Sequence, residues 1–136
     1  MRRMRVLALW FVMLLLSTAM ARAGRPNEKR ETASYIFSGK VMAVYATGYL
    51  GPKDNPSRDF IVEIKVDEVT KGERLKKGDT FRAYCYQNKS PQPFETRGHT
   101  RVPEAGQRIR AYVNDGRGRN EGVYPDWFDV LPKTGK

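Results

Sequence analysis

The chain has 136 residues and a formal net charge of +10, from 25 lysines and arginines against 15 aspartates and glutamates. Its one cysteine excludes an intrachain disulfide, so a packed core must hold the fold together. One histidine with one cysteine is also too thin a ligand set for a zinc site, and no metal or cofactor is expected.

Residues 1–23 read as a cleavable export signal. Met1-Arg2-Arg3-Met4-Arg5 is positive, Val6 to Met20 carries no charge, and Ala21-Arg22-Ala23 ahead of Gly24 is a small-residue cleavage site. Cleavage is expected between Ala23 and Gly24. The apolar run of about 15 residues is shorter than the roughly 20 that span a hydrocarbon core, so no stable membrane span is expected after cleavage. The signal's four arginines leave with it, and a mature chain of 113 residues keeps a net charge of +6. That length suits one domain. The expected location is exported, either periplasmic or extracellular, and the charge favours anionic partners in general.

Residues 24–32 are charged and contain Pro26 and Asn27, which reads as a flexible leader. From Ala33 the pattern is that of a strand: Tyr35, Phe37, Gly39, Val41, Ala43 and Tyr45 alternate with Ile36, Ser38, Lys40, Met42 and Val44. Gly39 is placed for a bulge or bend. Ala46 to Arg58 holds Gly48, Gly51, Pro52, Asn55 and Pro56, a loop composition. Asp59 to Val69 is the clearest strand, with Phe60, Val62, Ile64 and Val66 on one face. A charged turn follows through Asp79, anchored by Leu75. Thr80 to Gln87 then places Phe81, Ala83 and Cys85 on one face, which reads Cys85 as a buried core residue. Asn88 to Gln107 is irregular. Arg108 to Asn114 is a strand with Ile109, Ala111 and Val113 inward. A turn opens at Asp115-Gly116 and extends through Gly118 and Gly122. A last strand or extended arm runs from about Val123 to Leu131, where Trp127 and Phe128 are expected to close the core.

Five extended segments without an amphipathic helix define an all-β domain over residues 33–131, with a polar tail at 132–136. A lone sheet must curl on itself to bury a face, as a small barrel or a sandwich. The long first strand with its central glycine favours a five-stranded barrel, in which one strand bends to pair with both halves.

The stretch Tyr35-Ile36-Phe37-Ser38-Gly39-Lys40-Val41 resembles the opening of exported bacterial OB-fold domains, which are related in shape to netrin-like modules and tissue inhibitors of metalloproteinases. The likeness continues through Phe60 to Val66, Val69-Thr70-Lys71-Gly72, Gly78-Asp79-Thr80 and Pro103-Glu104-Ala105-Gly106-Gln107, covering most of Ala33 to Val113. It implies an OB-like barrel. The metalloproteinase inhibitors chelate zinc through a mature N-terminal cysteine, whereas the expected terminus here is Gly24, so no inhibitory residue carries over.

Catalytic constellations are sparse. His99 has no nucleophile elbow or other local signature beside it, and it reads as a loop residue that bonds locally or faces solvent. Asp67-Glu68 and Asp126 with Asp129 read as solvated strand ends. Leu131-Pro132-Lys133-Thr134-Gly135 matches a sortase pattern but reads as a polar tail. The chain is therefore not expected to be an enzyme. The basic and aromatic residues form the better candidate. Arg82, Tyr84 and Tyr86 lie opposite Cys85's face, and Arg108, Arg110 and Tyr112 lie opposite that of Ile109. On one wall they would build an arginine-tyrosine stripe, with Arg117 and Arg119 adding charge at one end. The expectation is a non-catalytic binding or interaction module for an envelope protein or an anionic polymer. Export weighs against nucleic acid. The alternative is a protease-inhibitor-like protein that uses a loop edge.

Overall fold

Among the described residues six strands form: β1 (Tyr35–Ala46), β2 (Ser57–Lys71), β3 (Thr80–Asn88), β4 (Arg108–Asp115), β5 (Asn120–Gly122) and β6 (Phe128–Val130), the first four carried by alternating burial. A 3-10 turn, Arg30–Thr32, precedes them. This computed structural model describes residues 25–53, 56–89 and 98–133. The export signal, its cleavage point at Ala23 and Gly24, and Thr134 to Lys136 lie outside the described residues. Among the described residues no helix is long and apolar enough to cross a membrane.

β1 pairs antiparallel with β2 and with β4, β2 with β3, and β4 with β5; β3 meets β5 in parallel at Tyr84 and Glu121. The ring β1-β2-β3-β5-β4 closes on itself, with β6 added outside it on β4. The protein is thus the closed, helix-poor, five-stranded β-barrel expected, with a strand order compatible with an OB-like fold. Closure depends on β1. Its residues 35–40 face β4 while residues 36–46 face β2, and three register shifts curl the strand between them. Gly39 sits opposite both Val66 and Ile109, and any Cβ there would press on the Lys65 carbonyl oxygen.

The inward residues are those the alternation selected: Val62, Ile64 and Val66 of β2, Phe81, Ala83 and Cys85 of β3, and Ile109, Ala111 and Val113 of β4 are all buried. Trp127 and Phe128 close the core, at 0% and 2% exposure.

Two expectations change. The final barrel strand is Asn120–Gly122, inside the stretch that reads as a turn. Val123 to Leu131 is not one strand: the chain bends at the cis Tyr124–Pro125 bond, and only Phe128–Val130 pairs, with β4. Three residues are too few to show an alternating pattern, and Asn-Glu-Gly has turn composition. Tertiary contact recruits them, since the Trp127 ring packs where a Gly122 Cβ would lie, 2.5 Å from its Cγ. The segment expected as a leader also lies on the barrel. Glu28 N–H donates to the Tyr124 carbonyl and the Glu28 carboxylate accepts from Tyr124 N–H, both at 2.8 Å. Arg30 clasps both Asp129 oxygens at 2.9–3.0 Å.

Candidate functional site

Alternation along β3 and β4 turns the expected arginines and tyrosines outwards, yet the barrel does not assemble them into one stripe. Strand β5 stands between β3 and β4 in the ring, and the residues separate into three groups.

The first group contains Arg82, Tyr84 and Arg119. The Arg119 guanidinium, delivered by the loop after β4, lies 3.6 Å from the centroid of the Tyr84 ring. Tyr84 is only 9% exposed, and its phenol is hydrogen-bonded to Asp59. Burial, then the Asp59 hydrogen bond and charge, raise its pKa well above the ordinary tyrosine value, so the hydroxyl stays a donor to that carboxylate. Arg82 faces Glu63 across the strands and pairs with it at 3.1 Å. Arg82, Tyr84, Arg119 and Asp59, together with Thr47 and Ile61, line a recess of about 490 Å³. It opens on the outer face of β2 and β3, between the β1–β2 and β4–β5 loops, where OB barrels present their binding surface. The register extends the recess sideways: Tyr45, Ile61 and Tyr84 are directly opposed on three neighbouring strands and so share the outer face. Tyr45 and Ile61 are 55% and 43% exposed, an open apolar flank. Sequence reading missed Asp59, Ile61 and Tyr45 because only the cross-strand register joins them to Tyr84.

The second group surrounds Tyr86. Its hydroxyl accepts from Arg25 at 3.4 Å, and its ring packs edge-on to His99 at 5.2 Å. Burial raises the Tyr86 phenol pKa, against the opposing pull of Arg25. Arg25 also bonds Glu121 and covers the Tyr124 ring. Of the two places expected for His99, bonding locally or facing solvent, the structure shows neither: it is 2% exposed and bonds to backbone distant in sequence. The loop before β4 returns to β3, where His99 N–H donates to the Tyr86 carbonyl at 2.7 Å. The ring's Nδ1 accepts from Tyr86 N–H at 3.1 Å and its Nε2 lies 2.8 Å from the Gly122 carbonyl, which places the proton on Nε2. Burial lowers the His99 pKa, so the ring is held neutral. Both ring nitrogens are committed to backbone. Cys85 faces the core with no exposed surface, and burial pushes its thiol up to about 12.

The third group, on β4, is engaged with its neighbours. Arg108 reaches Asp67 at 3.3 Å, Arg110 reaches Thr70 at 3.4 Å, and the Tyr112 ring lies under Arg30 and Arg110. Arg117 is exposed in the β4–β5 loop. Asp126 and Asp129 are taken up in ion pairs with Arg30 and Arg101. Among the described residues no three His, Cys, Asp or Glu side chains gather as a metal would require.

The first group brings a recess, a cation stacked on one of its lining rings and an open apolar flank together in one place. Comparison of the chain with protein families, curated proteins and solved structures finds no match.

Proposed function

We propose that this protein is a non-catalytic, exported binding module that takes its ligand on the outer face of β2 and β3. The observation that carries the reading is the Arg119 guanidinium seated on the Tyr84 ring beside Arg82, at the edge of a recess. Stacking orients the guanidinium plane and leaves its N–H edge for an anionic group. Ile61 and Tyr45 offer apolar surface next to it. A segment of an envelope protein or an anionic polymer, with a charged group beside a flat apolar one, meets both features. The relationship to netrin-like modules and tissue inhibitors of metalloproteinases belongs to this proposal, supported by the barrel's strand order and by the turn residues shared with exported OB-fold domains.

The test is binding of the chain from Gly24 onward to a sulfated polysaccharide and to solubilised envelope protein, at low and moderate salt. Losing two charge-assisted contacts in Arg82→Ala with Arg119→Ala lowers affinity by about tenfold or more. Arg74→Ala, in the exposed turn after β2, leaves it unchanged. A double variant that binds as well as the parent protein defeats the proposal. Inhibition in a protease panel that survives the double variant points instead to a loop edge.

A further inference from the structure

Lys40 lies in the part of β1 that is paired on both sides, and the register sets Lys65 of β2 and Arg108 of β4 directly opposite it. All three face outwards, since Gly39, Val41, Ile64, Val66 and Ile109 beside them are buried. Neighbouring strands lie about 4.8 Å apart, so three cations cross the wall within about 10 Å. Like charges directly opposed destabilise a sheet. Arg108 is offset by Asp67 at 3.3 Å, while the ion pairs found among the described residues use neither Lys40 nor Lys65.

A recess of about 700 Å³ adjoins this row. Lys40, Arg108 and Lys133 line it together with residues 104–107, and Glu104 is its only carboxylate among the described residues. The loop forming its floor is fixed to β1, with Gly106 N–H donating to the Val41 carbonyl and Val41 N–H to the Gln107 carbonyl, both at 2.8 Å. Lys40, Arg108 and Lys133 thus line a firm surface with Lys65 beside it, and of the carboxylates nearby Asp67 is paired with Arg108 and Glu63 with Arg82, leaving Glu104. Repulsion among these cations is relieved by a multiply charged oxyanion, for which lysine serves as a point-charge partner.

We propose that this wall, centred on Lys40 at the junction of β1, β2 and β4, is a second site, distinct from the Tyr84–Arg119 recess, that binds the phosphate groups of a soluble oligophosphate or phosphate-bearing polymer. One phosphate sits over Lys40, and others reach towards Lys65 and Lys133. A single phosphate engages only part of the row, so multivalency sets the affinity.

The chain from Gly24 onward is titrated with tripolyphosphate, with inorganic monophosphate and with vesicles containing phosphatidylglycerol. Tripolyphosphate binds at least tenfold tighter than monophosphate and raises the melting temperature. Lys40→Ser with Lys65→Ser reduces tripolyphosphate affinity at least tenfold, yet without ligand this variant melts at or above the parent temperature, because the repulsion has gone. Arg82→Ala with Arg119→Ala binds tripolyphosphate like the parent, which separates this site from the one on β2 and β3. Absence of tripolyphosphate binding, binding unchanged by the lysine variant, or a lysine variant that melts below the parent overturns the proposal. Binding to the vesicles alone overturns it in favour of a lipid surface.

Discussion

Cys85 shows how a single position couples strand geometry to reactivity. Its side chain has no exposed surface, and burial among apolar neighbours pushes the thiol up to about 12. The thiolate is the reactive form, so both access and ionisation are denied in the native state. At pH 8 a disulfide reagent is expected to label the native chain at least a hundredfold more slowly than the denatured one; comparable rates would mean that this wall opens readily. The buried place of Cys85 was legible because the alternation of Phe81, Ala83 and Cys85 fixes one face. That of His99 was not. A loop carries it back to β3 from 13 residues away, and its one local sign is Gly98, at φ +87°, where a Cβ would stand 2.7 Å from the Gln87 Cα. Tyr84 was legible as outward-facing but not as covered, because Arg119 arrives from a loop 35 positions further on.

At the scale of the element, β1 decides whether a sheet or a barrel forms. Gly39 is the residue where both partner strands approach, and a Cβ there meets the Lys65 carbonyl oxygen and, at 2.8 Å, the Ile64 Cγ2. Backbone cannot step aside as a flexible side chain does, so Gly39→Ala is an overpacking change without an easy relaxation. Its expected cost is about 2–3 kcal/mol, read as a shift of the urea midpoint with an unchanged slope. Gly48→Ala, with open space around its Cβ, is the matched control and moves the midpoint little. The bend at Gly39 was readable from a glycine inside a strand pattern. The three-residue β5 was not, and that gap has a functional consequence: β5 separates β3 from β4, so Arg82 and Tyr84 meet Arg119 while Arg108, Arg110 and Tyr112 face another wall. The β2–β3 register sets Ile61 beside Tyr84, and the bulges in β1 set Tyr45 opposite Ile61; neither is determined by a strand sequence read alone.

Across the whole molecule, acid sensitivity converges on one side chain. The chain has a single histidine, and no other side-chain type ordinarily titrates between pH 5.5 and 7.5 except through a strong shift. His99 fastens three parts of the barrel, taking Tyr86 N–H from β3, meeting the Gly122 carbonyl of β5 and holding its own loop in place. The groups around it are Glu121, 3.9 Å from Nε2, with Arg25, Tyr86 and Tyr124. Burial outweighs the hydrogen bonds and the Glu121 charge, and the native pKa lies below the ordinary 6.5. Below about pH 6.5 the unfolded chain therefore gains a proton that the native ring resists, since protonation would deprive Tyr86 N–H of its acceptor. Stability is then fully present above about pH 7 and falls as the solution is acidified, with a limiting slope of about 1.4 kcal/mol per pH unit until the native ring also protonates. Unfolding measured between pH 7.5 and 5.5, above the range where carboxylates dominate, is expected to show a loss of up to about 1 kcal/mol. His99→Gln keeps an amide that can replace part of the bonding; it is less stable at pH 7.5 but nearly flat across the same interval. Equal slopes in the two proteins would place the proton uptake at another group and leave His99 as a purely geometric fastener.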